Sequence, residues 1–156
     1  MASELPLYQD RVRSEWVDYN GHMRDAFYLL IFSFATDALM DAIGLDAAGR
    51  AAGHSSIYTL ESHIHYLHEV KLGSAVQVHT RLLGVDAKRL HVCQEMRVPD
   101  REGPVAVSEQ MLLHVDVRGP QSAPFLPPVA ACVQAMAAMH SQLARPAYVG
   151  RVMRLP

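Results

Sequence analysis

The chain has little cysteine, and its cysteines lack the spacings that bind metal or carry redox chemistry. Only Cys93 and Cys132 occur among 156 residues, and neither belongs to a Cys-x-x-Cys pair or a Cys/His cluster of zinc-site spacing. Both lie in apolar surroundings, so we expect two buried thiols. The N-terminus lacks the apolar core of a signal peptide, and polar residues interrupt the longest apolar stretch, around residues 26 to 43. These absences favour a cytoplasmic protein that does not enter a membrane.

The chain also lacks an excess of charge of either sign. Its formal net charge is −2, with 19% charged and 50% apolar residues. This balance is typical of a folded protein, whereas a nucleic-acid-binding domain is usually strongly basic. The sequence contains neither a glycine-rich phosphate loop nor a Gly-x-Ser-x-Gly elbow. We therefore expect no nucleic-acid partner and no serine nucleophile of the elbow type.

Nine histidines raise the question of a metal site. His63, His65 and His68 are close in sequence, but in a strand residues 63 and 65 share a face and residue 68 does not. No acidic residue or cysteine completes a recognised ligand spacing. The sequence predicts no bound metal and no cofactor.

The predicted elements change from one long helix to a series of strands. An extended segment at residues 7–17 leads into an Asn-Gly turn, and apolar residues then recur at helical spacing over about 24–43. Further strands are predicted at 57–66, 75–84, 89–98 and 104–117, and a last helix at about 128–144. Because the long helix is apolar on most sides, an antiparallel sheet curled around it would cover it. We predict one α+β domain over residues 1–156, with its core at about 7–118.

A single curled sheet has two free edges, and free strand edges are an aggregation hazard. Joining the edge strands of two copies removes that hazard and enlarges the core. We therefore expect a homodimer or a dimer-based tetramer.

The run Trp-Val-Asp-Tyr-Asn-Gly-His-Met, residues 16–23, precedes the apolar helix and resembles the active-site signature of 4-hydroxybenzoyl-CoA thioesterase-like hotdog enzymes. In those enzymes an Asp ends the first strand, a Gly follows three residues later, and the helix begins just beyond. Asp18 and Gly21 match that spacing. The resemblance implies a hotdog fold, in which a curled antiparallel sheet wraps a long central helix. It also implies that Asp18 is the nucleophile or general base towards a thioester.

The physical chemistry of a helix N-terminus agrees with that role. Free backbone N–H groups and positive partial charge lie where the thioester oxyanion forms, and a carboxylate can attack an activated thioester directly or deprotonate water. The alternative is that Asp18 caps the helix or forms an Asx turn.

Three further runs give a narrower resemblance, to the thioesterases of bacterial carnitine degradation, which are sometimes fused to carnitine dehydrogenase. The runs are Tyr-Thr-Leu-Glu-Ser-His-Ile at 58–64, Lys-Arg-Leu-His at 88–91 and Glu-Gln-Met-Leu-Leu-His-Val-Asp at 109–116. The implied activity is hydrolysis of betainyl-CoA to glycine betaine and CoA. The open alternatives are a thioesterase for another short or aromatic acyl-CoA, a hydratase or dehydratase of the same fold, and a non-catalytic acyl-CoA or quaternary-amine binding protein.

A quaternary ammonium donates no hydrogen bonds, so its recognition depends on aromatic faces and nearby acids. We expect substrate contacts from Trp16, Tyr19, Asn20, His22, Met23, Tyr28, Glu61, His63 and Tyr66. Trp16 is expected on the same strand face as Asp18. Lys88 and Arg89, at a predicted hairpin, are expected to hold the phosphates of CoA. The alternative is that the aromatics are core or interface residues and that the hairpin charges are merely exposed.

Overall fold

The computed structural model describes residues 4–156, and one antiparallel sheet contains all the strands in that range. The strands are β1 (Leu7–Arg11), β2 (Ser55–Tyr66), β3 (Ala75–Val85), β4 (Arg89–Arg97), β5 (Ala106–Asp116) and β6 (Gln121–Ser122). Their order is β1-β3-β4-β5-β2, and β6 pairs with the end of β5. The helices are α1 (Asp25–Ala42), α2 (Ala47–Gly53) and α3 (Pro127–His140).

Helix α1 lies in the hollow of this curled sheet. Ile31 and Phe32 are fully buried and pack in one cluster with Val78 of β3. A buried amide fixes the helix over the sheet, because Gln94 Nε2 of β4 donates to Phe32 O and to Thr36 Oγ1, each at 3.2 Å. The predicted α+β hotdog fold is confirmed.

The second half of α1 is covered by α3 as well as by the sheet. Leu39 of α1 and Ile43, the residue after its end, form a buried cluster with Leu112 of β5 and with Val129 and Val133 of α3. A helix with apolar residues on most faces is therefore buried on most faces, as the sequence pattern predicts.

Two predicted boundaries are wrong. The first strand was expected to run to residue 17 but ends at Arg11, and the chain then forms a 3-10 turn at Ser14–Trp16. The last hydrogen bond in register with β3 is Val12 N to Ser74 O at 2.9 Å, and the chain then turns away, with Trp16 N donating to Arg13 O at 3.1 Å. The last helix was expected to reach residue 144 and ends at His140.

A β-bulge changes which side chains of β2 share a face. Thr59 pairs with Leu112 while Glu61 pairs with Met111, so Leu60 is the extra residue. An extra residue reverses the alternation on one side of the bulge. Tyr58 therefore faces outward with Glu61, whereas the sequence pattern placed it on the opposite face.

The two edges of the sheet differ in length and in cover. β1 is 5 residues long, and the part of β3 beyond it is covered by the end of α3, where Leu82 N donates to His140 Nδ1 at 2.9 Å. β2 is 12 residues long and pairs only with β5. The long free edge of the sheet is therefore β2.

No single helix within residues 4–156 has the length and apolarity of a membrane span; α1 and α2 meet that criterion only when taken together, across a 69° bend.

Candidate active site

Asp18 lies in a tight turn between two short extended segments. Its N–H donates to His22 O and its carbonyl accepts from Gly21 N, both at 2.9 Å, while an isolated bridge joins Val17 and Met23. Gly21 has φ +74°, a left-handed conformation that disfavours a side chain. The Asp-x-x-Gly spacing is thus that of a closed turn.

The Asp18 carboxylate is exposed, and only one of its two oxygens accepts hydrogen bonds within residues 4–156. Oδ1 accepts from Asn20 N at 2.9 Å and from His22 N at 3.2 Å, which is the Asx turn left open as an alternative. Oδ2 has no hydrogen bond within residues 4–156. The carboxylate does not cap α1, whose N-cap residue is Arg24. One oxygen therefore holds the turn and the other is free to react.

The turn also sets the ionisation of Asp18. Partial desolvation acts to raise its pKa, but the hydrogen bonds from His22 and Asn20 and the charges of Arg24 and His22 outweigh it, so the pKa is lowered. The carboxylate is consequently ionised at neutral pH, as a nucleophile or a general base requires.

The first turn of α1 offers a backbone donor. Phe27 N donates to Arg24 O at 3.1 Å, and Ala26 N donates to Asp25 Oδ1 at 2.9 Å. Asp25 N has no such acceptor within residues 4–156. This N–H, at the positive end of the longest helix, is suited to polarise a carbonyl oxygen.

A cleft of about 290 Å³ opens beside this donor. It is lined by Met23, Asp25, Tyr28, Tyr66, Leu67, His68 and Glu69. The rings of Tyr28 and Tyr66 meet edge to face with centroids 5.2 Å apart. Their hydroxyls are anchored on backbone carbonyls, Tyr66 on Asp25 and Tyr28 on His68, each at 3.2 Å. Two aromatic rings and two carboxylates thus surround one small space.

The Asp18 turn and the cleft form one unit. Met23 N donates to Val70 O at 2.7 Å, and Leu72 N donates to Gly21 O at 3.0 Å. His22 Nδ1 lies 3.3 Å from Glu69 Oε2, which joins the turn to the acid of the cleft. The structure therefore brings together five of the predicted site residues, which are Asp18, His22, Met23, Tyr28 and Tyr66.

Sequence reasoning missed Asp25 and Glu69. Asp25 stands at the start of the apolar helix, and Glu69 follows β2 by three residues. No spacing rule links Glu69 to Asp18; only the backbone contacts of residues 70–72 with the turn bring them close.

Trp16 is placed differently from the prediction. It lies in the 3-10 turn and not on a strand with Asp18, and it is only 3% exposed. Its ring stacks on Phe27 at 5.9 Å between centroids, and the Arg13 guanidinium lies over it at 4.6 Å. These contacts give Trp16 a packing role in this chain. Tyr19, in contrast, is 92% exposed at the tip of the turn beside Asn20.

Glu61 and His63 line a different cleft, on the outward face of the sheet. His91 and Glu109 share this cleft, with His91 Nε2 2.6 Å from Glu109 Oε2. It shares no lining residue with the cleft at the start of α1. Within one chain, Glu61 and His63 are therefore apart from that cleft, and their predicted substrate contact would have to be made in a partner subunit.

Lys88 and Arg89 lie at the β3–β4 hairpin, as predicted. Arg89 pairs with Asp86 at 2.6 Å, and Lys88 Nζ donates to Ser122 Oγ at 3.0 Å. β3 begins beside the Asp18 turn and ends at this hairpin, about 33 Å away at the rise of an extended strand. Any contact of this hairpin with the same CoA would also have to come from a partner subunit.

The expectation of two buried thiols is half wrong. Cys93 is buried, and burial raises its pKa to about 12. Cys132 is exposed, because α3 turns it away from the buried residues Val129 and Val133. Within residues 4–156 no group of three or more His, Cys, Asp or Glu side chains is placed to hold a metal ion.

The family of the chain follows from comparison with known proteins. A profile of the thioesterase-like superfamily matches residues 12–133, a range that includes the Asp18 turn, the cleft and strands β2 to β6. The chain belongs to this superfamily and is a hotdog-fold thioesterase.

Individual relatives and solved structures show which proteins of this superfamily the chain is similar to. A betainyl-CoA thioesterase from Pseudomonas aeruginosa is 54% identical over 156 residues, covering 100% of this chain and 98% of that protein. An L-carnitine dehydrogenase/betainyl-CoA thioesterase from Agrobacterium fabrum is 53% identical over 114 residues, which are 73% of this chain and 23% of that longer protein. A hypothetical Staphylococcus aureus protein solved in complex with CoA superposes with a TM-score of 0.91 at 26% identity, covering 100% of this chain and 98% of that one.

Proposed function

We propose that the chain hydrolyses betainyl-CoA to glycine betaine and CoA. The observation that carries the proposal is the cleft at the start of α1, where Tyr28, Tyr66, Asp25 and Glu69 surround a space beside the Asp18 turn. The 54% identical betainyl-CoA thioesterase supports the choice of acyl group.

In the proposed mechanism the thioester carbonyl oxygen accepts a hydrogen bond from Asp25 N. The N-terminal end of α1 stabilises the negative charge that develops on this oxygen. Asp18 acts through Oδ2, either by attacking the carbonyl carbon or by taking a proton from the attacking water. In both routes a C–O bond forms, the C–S bond breaks, and the sulfur leaves with the electron pair. In the base route the proton that Asp18 takes from water protonates the sulfur, which gives glycine betaine and the CoA thiol. In the nucleophilic route the first product is a mixed anhydride with Asp18; a water then hydrolyses it, which releases glycine betaine, regenerates the carboxylate and supplies the proton for the sulfur.

The acyl group is recognised by charge and by aromatic faces. The trimethylammonium of a betainyl group is large and weakly hydrated, so it gains from contact with the half-exposed ring of Tyr66, which packs edge to face on the buried ring of Tyr28. Glu69 supplies a negative charge, and His22 holds that carboxylate at 3.3 Å. Burial raises the pKa of Tyr28 to about 12, so its phenol stays neutral and serves as a ring and not as a second anion.

We also propose a homodimer, alone or as half of a tetramer, joined through antiparallel pairing of the two β2 strands. β2 is 12 residues long and pairs on one side only, so a second copy would satisfy its free backbone groups. In such a dimer the start of one β2 strand lies beside the end of the other, which would bring Lys88 and Arg89 of one subunit towards the cleft of the other. Glu61 and His63 face outward and would stay on the opposite face of the sheet. The cytoplasmic location expected from composition stays a prediction.

The proposal is tested by release of free thiol from a panel of acyl-CoAs. The panel holds betainyl-CoA, its uncharged counterpart 3,3-dimethylbutanoyl-CoA, and short straight-chain and aromatic acyl-CoAs. We expect betainyl-CoA to give a kcat/KM at least about tenfold above that of the uncharged counterpart, equivalent to about 1.4 kcal/mol. Equal values would remove betainyl-CoA as the substrate, and no turnover of any member would favour a binding protein.

A further inference from the structure

The C-terminal segment crosses the outward face of the sheet before it ends. Arg81 of β3 donates to Ala144 O and to Leu143 O. The ring of Tyr148 lies 5.2 Å from that of His65 of β2, and Gly150 N donates to Glu109 Oε1 of β5 at 2.8 Å. These contacts hold the segment onto its own chain as far as Gly150.

The last residues leave that face and carry uncovered apolar side chains. Val152, Met153 and Leu155 are 76%, 84% and 91% exposed. Isolated exposed apolar residues are common, but three large ones within four positions form a patch that favours a partner surface.

The segment leaves its own chain beside the middle of β2. Arg151 lines the outward cleft with Glu61 and His63, which lie in the central part of the strand Ser55–Tyr66. In antiparallel pairing of two β2 strands the two-fold axis passes near the middle of the strand. Residues 152–156 span up to about 17 Å when extended, and neighbouring strands are about 4.8 Å apart. The segment therefore reaches across the axis.

We propose that residues 152–156 dock on the outward face of β2 of a second copy of this chain, an inference that rests on the proposed β2 dimer. The apolar partner is Tyr58, which faces outward and is 48% exposed. The polar partner is Glu61, which has no ion pair within residues 4–156 and matches the positive charge of Arg154. Each subunit then covers the other's patch.

Cross-linking between variants that each carry one introduced cysteine, beside the buried Cys93, tests this docking. Both variants carry Cys132→Ser, which removes the exposed native thiol. One adds Met153→Cys and the other Tyr58→Cys, and the two are mixed, allowed to exchange subunits and treated with a short bismaleimide. Because each variant holds one introduced cysteine, a linked Met153–Tyr58 pair joins two chains. The control partner is Leu7→Cys, which lies on β1 at the opposite edge of the sheet.

The mixture is expected to give the covalent dimer, and the mixture with Leu7→Cys is expected to give none. The dimer of a chain that ends at Arg151 should have a dissociation constant at least about tenfold above that of the wild-type dimer. If the wild type is a dimer by light scattering and no covalent dimer forms, the docking is wrong while the dimer stands. If a doubly substituted chain instead links within itself, the segment binds its own β2 and the proposal is overturned. A monomeric wild type would overturn both the dimer and the docking.

Discussion

Replacing Tyr66 separates the recognition of charge from the chemistry of hydrolysis. Tyr66 contributes a ring face to the cleft and a hydroxyl that donates to Asp25 O at 3.2 Å. Tyr66→Leu removes both, whereas Tyr66→Phe removes only the hydroxyl. Neither change alters Asp18 or the Asp25 N–H, which are the groups proposed to carry out hydrolysis.

The size of the effect follows from the exposure of the ring. Tyr66 is 51% exposed, so its attraction for a cation lies towards the lower part of the usual range, about 1 kcal/mol. This corresponds to roughly a fivefold loss in kcat/KM for betainyl-CoA. The uncharged 3,3-dimethylbutanoyl-CoA should change little, and Tyr66→Phe should keep the preference for the charged substrate.

The assay is continuous detection of released CoA thiol, with both substrates measured on wild type, Tyr66→Leu and Tyr66→Phe. The Cys132→Ser background removes the exposed thiol that would react with the detecting reagent. The ratio of the two kcat/KM values is the informative quantity, because it cancels errors in active-enzyme concentration. A ratio that is the same in wild type and Tyr66→Leu would refute the aromatic recognition.

Three further predictions follow from the same region. Glu69→Gln should raise KM for betainyl-CoA severalfold, because it removes an exposed charge pair worth about 1 kcal/mol. KM for the uncharged 3,3-dimethylbutanoyl-CoA should not change. An equal rise in KM for both substrates would mean that Glu69 has a structural role. Gly21→Ala should lower the free energy of unfolding by about 1 kcal/mol, since φ is +74° at this position. Gly119→Ala, the control, should leave the free energy of unfolding unchanged, and urea titration measures both. The proposed mechanism uses the ionised form of Asp18, and the pKa of Asp18 is lowered, so kcat/KM should fall only as pH drops through that low value; an acid limb near about 6.5 would indicate a histidine instead.

The fold is largely predictable from periodicity, and the points of failure have local causes. The apolar helix and the β3–β4 hairpin follow directly from spacing and from the turn residues between Val85 and Arg89. The β2 bulge at Leu60 is not visible in the sequence, because it depends on register with β5. The early end of β1 is followed by the 3-10 turn at Ser14–Trp16, and the alternation over residues 7–17 does not indicate that turn.

The site is predictable only where it is local in sequence. Asp18, His22, Met23 and Tyr28 lie within one turn and the start of one helix, so a short motif identifies them. Glu69 joins them through backbone contacts made by a separate loop, and no pattern in a single sequence indicates those contacts. Glu61 and His63 lie on the same strand as Tyr66, and this closeness along the chain led to the prediction that all three line one cleft. Because Glu61 and His63 face outward, they do not share a cleft with Tyr66 within one subunit.

The most direct test of the account is the turnover number of Asp18→Asn. Asparagine keeps the side-chain oxygen that accepts from Asn20 N and His22 N, so the turn and the thermal stability should be retained. It cannot act as a nucleophile or base, so kcat on betainyl-CoA should fall by about two to four orders of magnitude with KM little changed. A folded variant with wild-type kcat would contradict the account and place the catalytic group elsewhere.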